Sequence, residues 1–182
     1  MNATQNLMYR CAMQYGTCMG VFWIGKFILF PLGFRMPFLS LAFMVLTLAV
    51  PFLAYYYART YRDRFSGGAI RFSQAWVFTA LVYVYAALLA AVAHFVYFQF
   101  IDQGFVLNAC MEMLEQQKGF SAEMDAQVAL LQEALGEVDL SPIGITMQLF
   151  SSNVMYGSIL AVPVALLVMR KAGKEPAPQS NE

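Results

Sequence analysis

Charge is scarce in this chain of 182 residues: Asp, Glu, Lys and Arg make up 12% of it, against about 25% in ordinary globular proteins. Hydrophobic residues make up 60%, more apolar surface than a soluble fold of this size can hide. The basic and acidic residues balance at 11 each. That balance excludes a polybasic surface aimed at phosphates, so nucleic acid is not an expected partner. Histidine occurs once, as His94, whereas a metal site needs three or four converging ligands. No metal and no cofactor is expected. Cysteine occurs three times, as Cys11, Cys18 and Cys110, an odd number without a CxxC pair. Cys11 and Cys18 share roughly one helix face and read as small apolar packing residues, and no structural disulfide is expected. No nucleophile–base pair and no phosphate loop is present, so the chain reads as non-enzymatic. The start lacks a small-residue cleavage site and a lipidation signal, so the first apolar run reads as a retained anchor.

What the chain does have is four long apolar runs, and these predict an all-α, polytopic membrane protein. The expected spans are 11–33, 37–57, 72–101 and 142–169, each able to cross a hydrocarbon core about 30 Å thick. They form one transmembrane domain over 11–171, after a short polar N-terminus at 1–10 and before a disordered tail at 172–182. Pro31, Gly33 and Pro37 mark the first connection, and Tyr55, Tyr56 and Tyr57 suit headgroup level. Pro51 is expected to bend the second span. Arg59 to Arg71, with the Gly67–Gly68 pair, reads as a loop or short interfacial helix. The third run is long enough that it must tilt or protrude.

Between the third and fourth spans, 102–141 carries eight acids against the single base Lys118, and so lies outside the bilayer. Met124, Val128, Leu131 and Leu135 recur at helical spacing and line one side of an amphipathic helix, with Ser121 placed to cap it. A shorter helix over about 107–117 precedes it, and Lys118–Gly119 separates the two. This helical hairpin can dock on its own bundle, hold a partner or rest on lipid, in that order of preference, because its acidity disfavours anionic lipid. Pro142 suits the first turn of the fourth span.

Sidedness follows from Lys and Arg near the span ends. Arg10, Arg59, Arg62, Arg64, Arg71, Arg170, Lys171 and Lys174 gather on one side, and Arg35, Lys118 and Lys26 on the other. Both termini and the basic loop (Arg59, Arg62, Arg64, Arg71) are therefore expected in the cytoplasm, with the hairpin extracytoplasmic. The basic loop either sets topology or binds anionic headgroups at about 1 kcal/mol per residue.

Three groups of residues are candidates for more than anchoring. Ala12, Gly16 and Gly20 in the first span, and Gly157, Ala161 and Ala165 in the fourth, place small side chains every four residues. Such stripes let helices pack closely within one bundle or against another subunit, and Ala86, Ala87, Ala90 and Ala91 add to them in the third span. Lys26 is a charge inside a span, which marks a functional site by default; snorkelling of its long stem to the interface is the favoured reading. His94 reads as a hydrogen-bonded interfacial histidine, and Asn153, beside Ser151 and Ser152, as a polar group bonding across helices. Together Lys26, His94 and Asn153 define the polar path that a small transporter or channel would need.

Tyr61-Arg62-Asp63-Arg64, Gly67-Gly68 and Phe72-Ser73-Gln74-Ala75 are followed by Ile101-Asp102 and a Glu- and Met-rich hairpin before a fourth span. In order and spacing this resembles the domain of unknown function 4199 family of bacterial membrane proteins, along nearly the whole chain. Gln103 departs from the family pattern, which shows proline there. The resemblance implies a four-span protein of the bacterial cytoplasmic (inner) membrane without an assigned activity. It also implies an accessory or scaffold role beside a membrane glycosyltransferase of the polyprenyl-phosphate type or another envelope enzyme. The expected partners are thus the lipid bilayer and a membrane protein, or a second copy of the chain.

Overall fold

In a computed structural model that describes residues 3–137 and 139–170, six helices follow one another. These are α1 (Ala3–Gly33), α2 (Pro37–Phe65), α3 (Phe72–Tyr97), α4 (Phe105–Gln116), α5 (Ala122–Glu137) and α6 (Pro142–Val168). A wider π-helical turn, Phe98–Asp102, extends α3. The tail at 172–182, with Lys171, lies outside the described residues.

Four helical segments, of 29, 29, 31 and 27 residues, are long and apolar enough to cross a membrane. At 1.5 Å per residue the shortest reaches about 40 Å, more than a hydrocarbon core requires. The chain is a multi-pass membrane protein. Around the bundle the order is α1, α3, α6, α2, with α3 packing most extensively, against both α6 and α1. Its alanines make this possible: Ala75, Ala86, Ala87 and Ala90 are fully buried, together with Phe78 and Tyr83. α2 is the least covered span and leaves Phe38, Met44, Leu48 and Phe52 exposed, as suits a helix whose outer face meets lipid tails.

Several boundaries differ from the sequence expectation. α1 begins at Ala3 rather than near Cys11. α2 runs on through Arg59 and Arg62 to Phe65, where a loop or separate interfacial helix was expected. Its charges hold the last turns in register, since Asp63 pairs with Arg62 at 2.7 Å and with Arg59, one turn back, at 3.6 Å. The helix stops only at Ser66, before Gly67 and Gly68 at φ 66° and 79°.

The hairpin between α3 and α6 contains the two expected helices. Gly119 (φ 89°) separates them, and Ser121 caps α5 by accepting from the Met124 amide at 3.2 Å. The expected apolar face of α5 is only partly covered. Val128 is buried and Leu135 half-buried, while Met124 and Leu131 remain exposed. α6 then starts at Pro142, with the Ser141 hydroxyl accepting from the Gly144 amide at 3.1 Å.

Candidate functional site

The two small-residue stripes lie at helix contacts inside the bundle. A β-carbon on Gly16 would stand 2.5 Å from the Tyr85 β-carbon and 2.9 Å from the Val82 carbonyl; on Gly20 it would meet Leu89 at 3.0 Å. At Gly157 it would meet Tyr83 at 2.7 Å. Ala12, Ala161 and Ala165 are fully buried. α1 and α6 thus each press backbone against α3, which in lipid supplies the packing that drives association.

At the arginine-bearing end the connections are tied together. Ile70 and Arg170 exchange both backbone hydrogen bonds at 3.0 Å, tying the α2–α3 connection to the end of α6. Arg62 donates to the Val168 carbonyl at 2.9 Å and so satisfies an acceptor left free at a helix C-terminus. Of the four arginines of the basic stretch, Arg62 is therefore a strut between α2 and α6, whereas Arg59, Arg64 and Arg71 face outward.

At the opposite end the helices separate around a cavity of about 630 Å³, within the range of roughly 300–1,000 Å³ typical of small-molecule pockets. Trp23, Lys26, Phe27 and Phe30 of α1 line it, with Phe43 of α2, His94 of α3, and Ile145, Leu149 and Asn153 of α6. Phe98, Gln99 and Asp102 of the π turn join them; widened turns of this kind recur at functional sites. Val106, Leu107 and Cys110 of α4 and Leu135 of α5 form a roof. The three residues of the expected polar path, Lys26, His94 and Asn153, thus come from three helices and line one space.

Two of them have surroundings that the sequence alone does not show. Lys26 reaches across to α2. Its ammonium donates to the Thr47 hydroxyl of α2 at 3.2 Å and lies 5.7 Å from the Trp23 ring and 5.4 Å from the Phe43 ring. Thr47 is ten residues into α2, about 15 Å from its start. A hydroxyl and two aromatic faces give the charge partners within the bundle. His94, expected as a hydrogen-bonded interfacial residue, lies inside the bundle. It is 6% exposed, its ring packs on Phe27 at 4.2 Å between centroids, and its Nδ1 is buried with no partner among the described residues. The Trp23 Nε1 is in the same state. Leaving such an atom unpaired costs about 1–3 kcal/mol, which a well-packed structure tolerates at few places.

Asp102 is 7% exposed and faces the roof, where it accepts from the Val106 amide at 3.2 Å and so caps α4. Gln103 follows it at φ 46° and Gly104 at φ 83°. A proline cannot adopt the first of these angles, so the turn here is made by two left-handed residues. Burial, and then the Asp102 charge, push the Cys110 thiol up from its ordinary range. All three cysteines are free, and no hydrogen bond joins Cys110 to His94 among the described residues. Those residues also contain no cluster of three or more His, Cys, Asp or Glu side chains suited to a metal ion.

Nothing local in the sequence announces this cavity. Its lining draws on every helix among the described residues, and the hydrogen bond that anchors Lys26, to Thr47, joins residues 21 apart.

Residues 14–170 match the family described as Protein of unknown function (DUF4199). The chain belongs to that family. The match runs from α1 to the end of α6, so the cavity, its roof and the bridged arginine end all lie within the DUF4199 region. No curated protein and no solved structure matches the chain.

Proposed function

We propose that this DUF4199 protein is a non-enzymatic accessory protein of the bacterial cytoplasmic membrane that holds a largely apolar guest beneath its hairpin. The observation that carries the reading is the meeting of Lys26, His94 and Asn153 in one aromatic-walled cavity, roofed by α4 and α5 at the end away from the arginines. A mostly apolar wall with few polar groups, and a far end tied by the Ile70–Arg170 bridge, suit retention of a guest better than free passage. The nearest approach to a catalytic pair in the lining, Cys110 and His94, lacks the hydrogen bond by which a base activates a thiol. In this reading the arginine end and both termini face the cytoplasm, and the hairpin faces the opposite compartment. The exposed Met113, Phe120, Leu130 and Leu131 of the hairpin offer a surface to a membrane glycosyltransferase or another envelope enzyme.

Native mass spectrometry of the chain released from mild detergent tests the guest. A retained small-molecule mass that is lost in Leu149→Trp, which fills the cavity, is the expected result; an identical spectrum for both proteins refutes it. Crosslinking in intact cells tests the partner, and recovery of the uncrosslinked chain alone counts against it.

A transporter is the second reading, favoured by the same three polar residues. It requires the Ile70–Arg170 bridge to open during a cycle. Solute flux into liposomes carrying the chain, abolished by Lys26→Met, would establish it over simple retention.

A further inference from the structure

Resting on the reading of the cavity as a guest site, we propose that the guest is an anionic bilayer lipid, which enters sideways between α1 and α2 and sets its charged headgroup on Lys26.

The first support is charge. Lys26 has no carboxylate within ion-pairing distance among the described residues, whose ion pairs are those of Asp63 with Arg59 and Arg62. Asp102 shares the cavity but is turned to the Val106 amide. Thr47 takes one of the three ammonium protons, and Trp23 and Phe43 offer it aromatic faces. Such a group, half-buried in a mostly aromatic wall, is complementary to an anion. His94, the other titratable cation former in the lining, adds no acid.

The second support fixes the source of that anion. A groove of about 550 Å³ runs along the outside of the bundle between α1 and α2, lined by Phe30, Gly33, Phe43, Met44, Thr47 and Leu48. Phe30 and Phe43 line both groove and cavity, and Thr47 in the groove is the partner of Lys26. Met44 and Leu48 are 61% and 65% exposed on the lipid-facing side of α2. The groove therefore opens to acyl chains, and its Thr47 hydroxyl reaches the ammonium itself. A soluble anion has no use for such a wall, whereas a lipid uses both parts, its chain in the groove and its phosphate on Lys26. Met113 of α4 lines the groove as Cys110 lines the cavity, so one helix borders both.

Trp23 supplies the probe. The chain has two tryptophans, so Trp76→Phe leaves Trp23, in the cavity wall, as the single fluorophore. The full chain is reconstituted in zwitterionic phosphatidylcholine bilayers containing small fractions of brominated phosphatidylglycerol or brominated phosphatidylcholine. Brominated phosphatidylglycerol is expected to quench Trp23 at about a fifth of the mole fraction that brominated phosphatidylcholine needs, the preference one favourable charge contact gives. Lys26→Gln is expected to abolish the preference and Lys26→Arg to restore it. Equal quenching by both lipids in the parent protein overturns the anionic-headgroup proposal while leaving a guest-holding cavity in place. Quenching by neither, with the brominated lipid still quenching a tryptophan placed at the exposed Leu48, overturns both. Loss of the preference on adding inorganic phosphate would assign the site to a free anion and likewise overturn the lipid.

Discussion

The Tyr83 ring of α3 occupies the space that a side chain on Gly157 of α6 would need, with its β-carbon 2.7 Å from where a new one would stand. Gly157→Leu must therefore push α6 away from the helix it packs on most. Overpacking of this kind costs about 1–3 kcal/mol, and Gly16→Leu should do the same to the α1–α3 contact. Gly25 has open space around it, so Gly25→Leu serves as the control. Thermal unfolding in detergent, followed by circular dichroism, should lower Tm for the first two and spare the third. An unchanged Tm for Gly157→Leu would mean that these helices do not touch there.

Arg62 and Arg64 are neighbours in charge but not in role. Arg62 has a side chain 12% exposed and donates to Val168, whereas Arg64 is exposed. Arg62→Ala should cost about 1.5–3 kcal/mol, the range for a hydrogen bond from a charged donor, and Arg64→Ala almost nothing. Side-by-side denaturant titrations decide it, and equal losses would remove the strut assigned to Arg62.

Asp139 links the hairpin to α6. Its carboxylate accepts from both the amide and the hydroxyl of Ser141 at 2.9 Å, and these bonds, the amide's first, hold its pKa below the usual carboxylate range. A depressed folded pKa contributes stability that is fully present above the unfolded value, about 3.9, and is lost as pH falls through the folded one. The protection of amides over the first turn of α6, corrected for intrinsic exchange at each pH, should therefore stay full at neutral pH and fall in acid below about pH 4. Asp139→Asn should show the weaker protection at every pH. Ser141→Ala, which removes the cap itself, should cost about 1 kcal/mol.

Sidedness is tested on a chain whose three cysteines are replaced by serine or alanine. Single cysteines are returned at two exposed positions, Arg64 on the arginine end and Gln127 on α5. An impermeant thiol reagent applied to cells with a permeabilised outer envelope should label the Gln127 site and spare the Arg64 site. The reverse pattern would invert the proposed orientation.

The spans were legible because a run of some twenty apolar residues has few other uses, and Ser121 and Pro142 marked helix starts by local chemistry alone. The end of α2 was expected as a loop or short interfacial helix, because charge and the Gly67–Gly68 pair follow the apolar run. Arg59 and Asp63, one turn apart, instead continue the helix. Lys26 and His94 were placed at an interface by their distance from the span ends. Their true surroundings, Thr47 and Trp23 for one and Phe27 for the other, depend on how helices rotate against each other. The π turn at Phe98–Asp102 has no local signature at all, yet it contributes Gln99 and Asp102 to the cavity wall.

A consequence follows from the left-handed pair at Gln103 and Gly104. The helix that covers the cavity is joined to its third span by two backbone angles, one of which proline's fixed φ of about −65° forbids. A relative with proline at this position must send its chain out of the bilayer along another path, and its covering helix would settle at a different height and tilt. Chamber depth, and with it the size of what fits inside, can then diverge among homologues whose wall residues are identical.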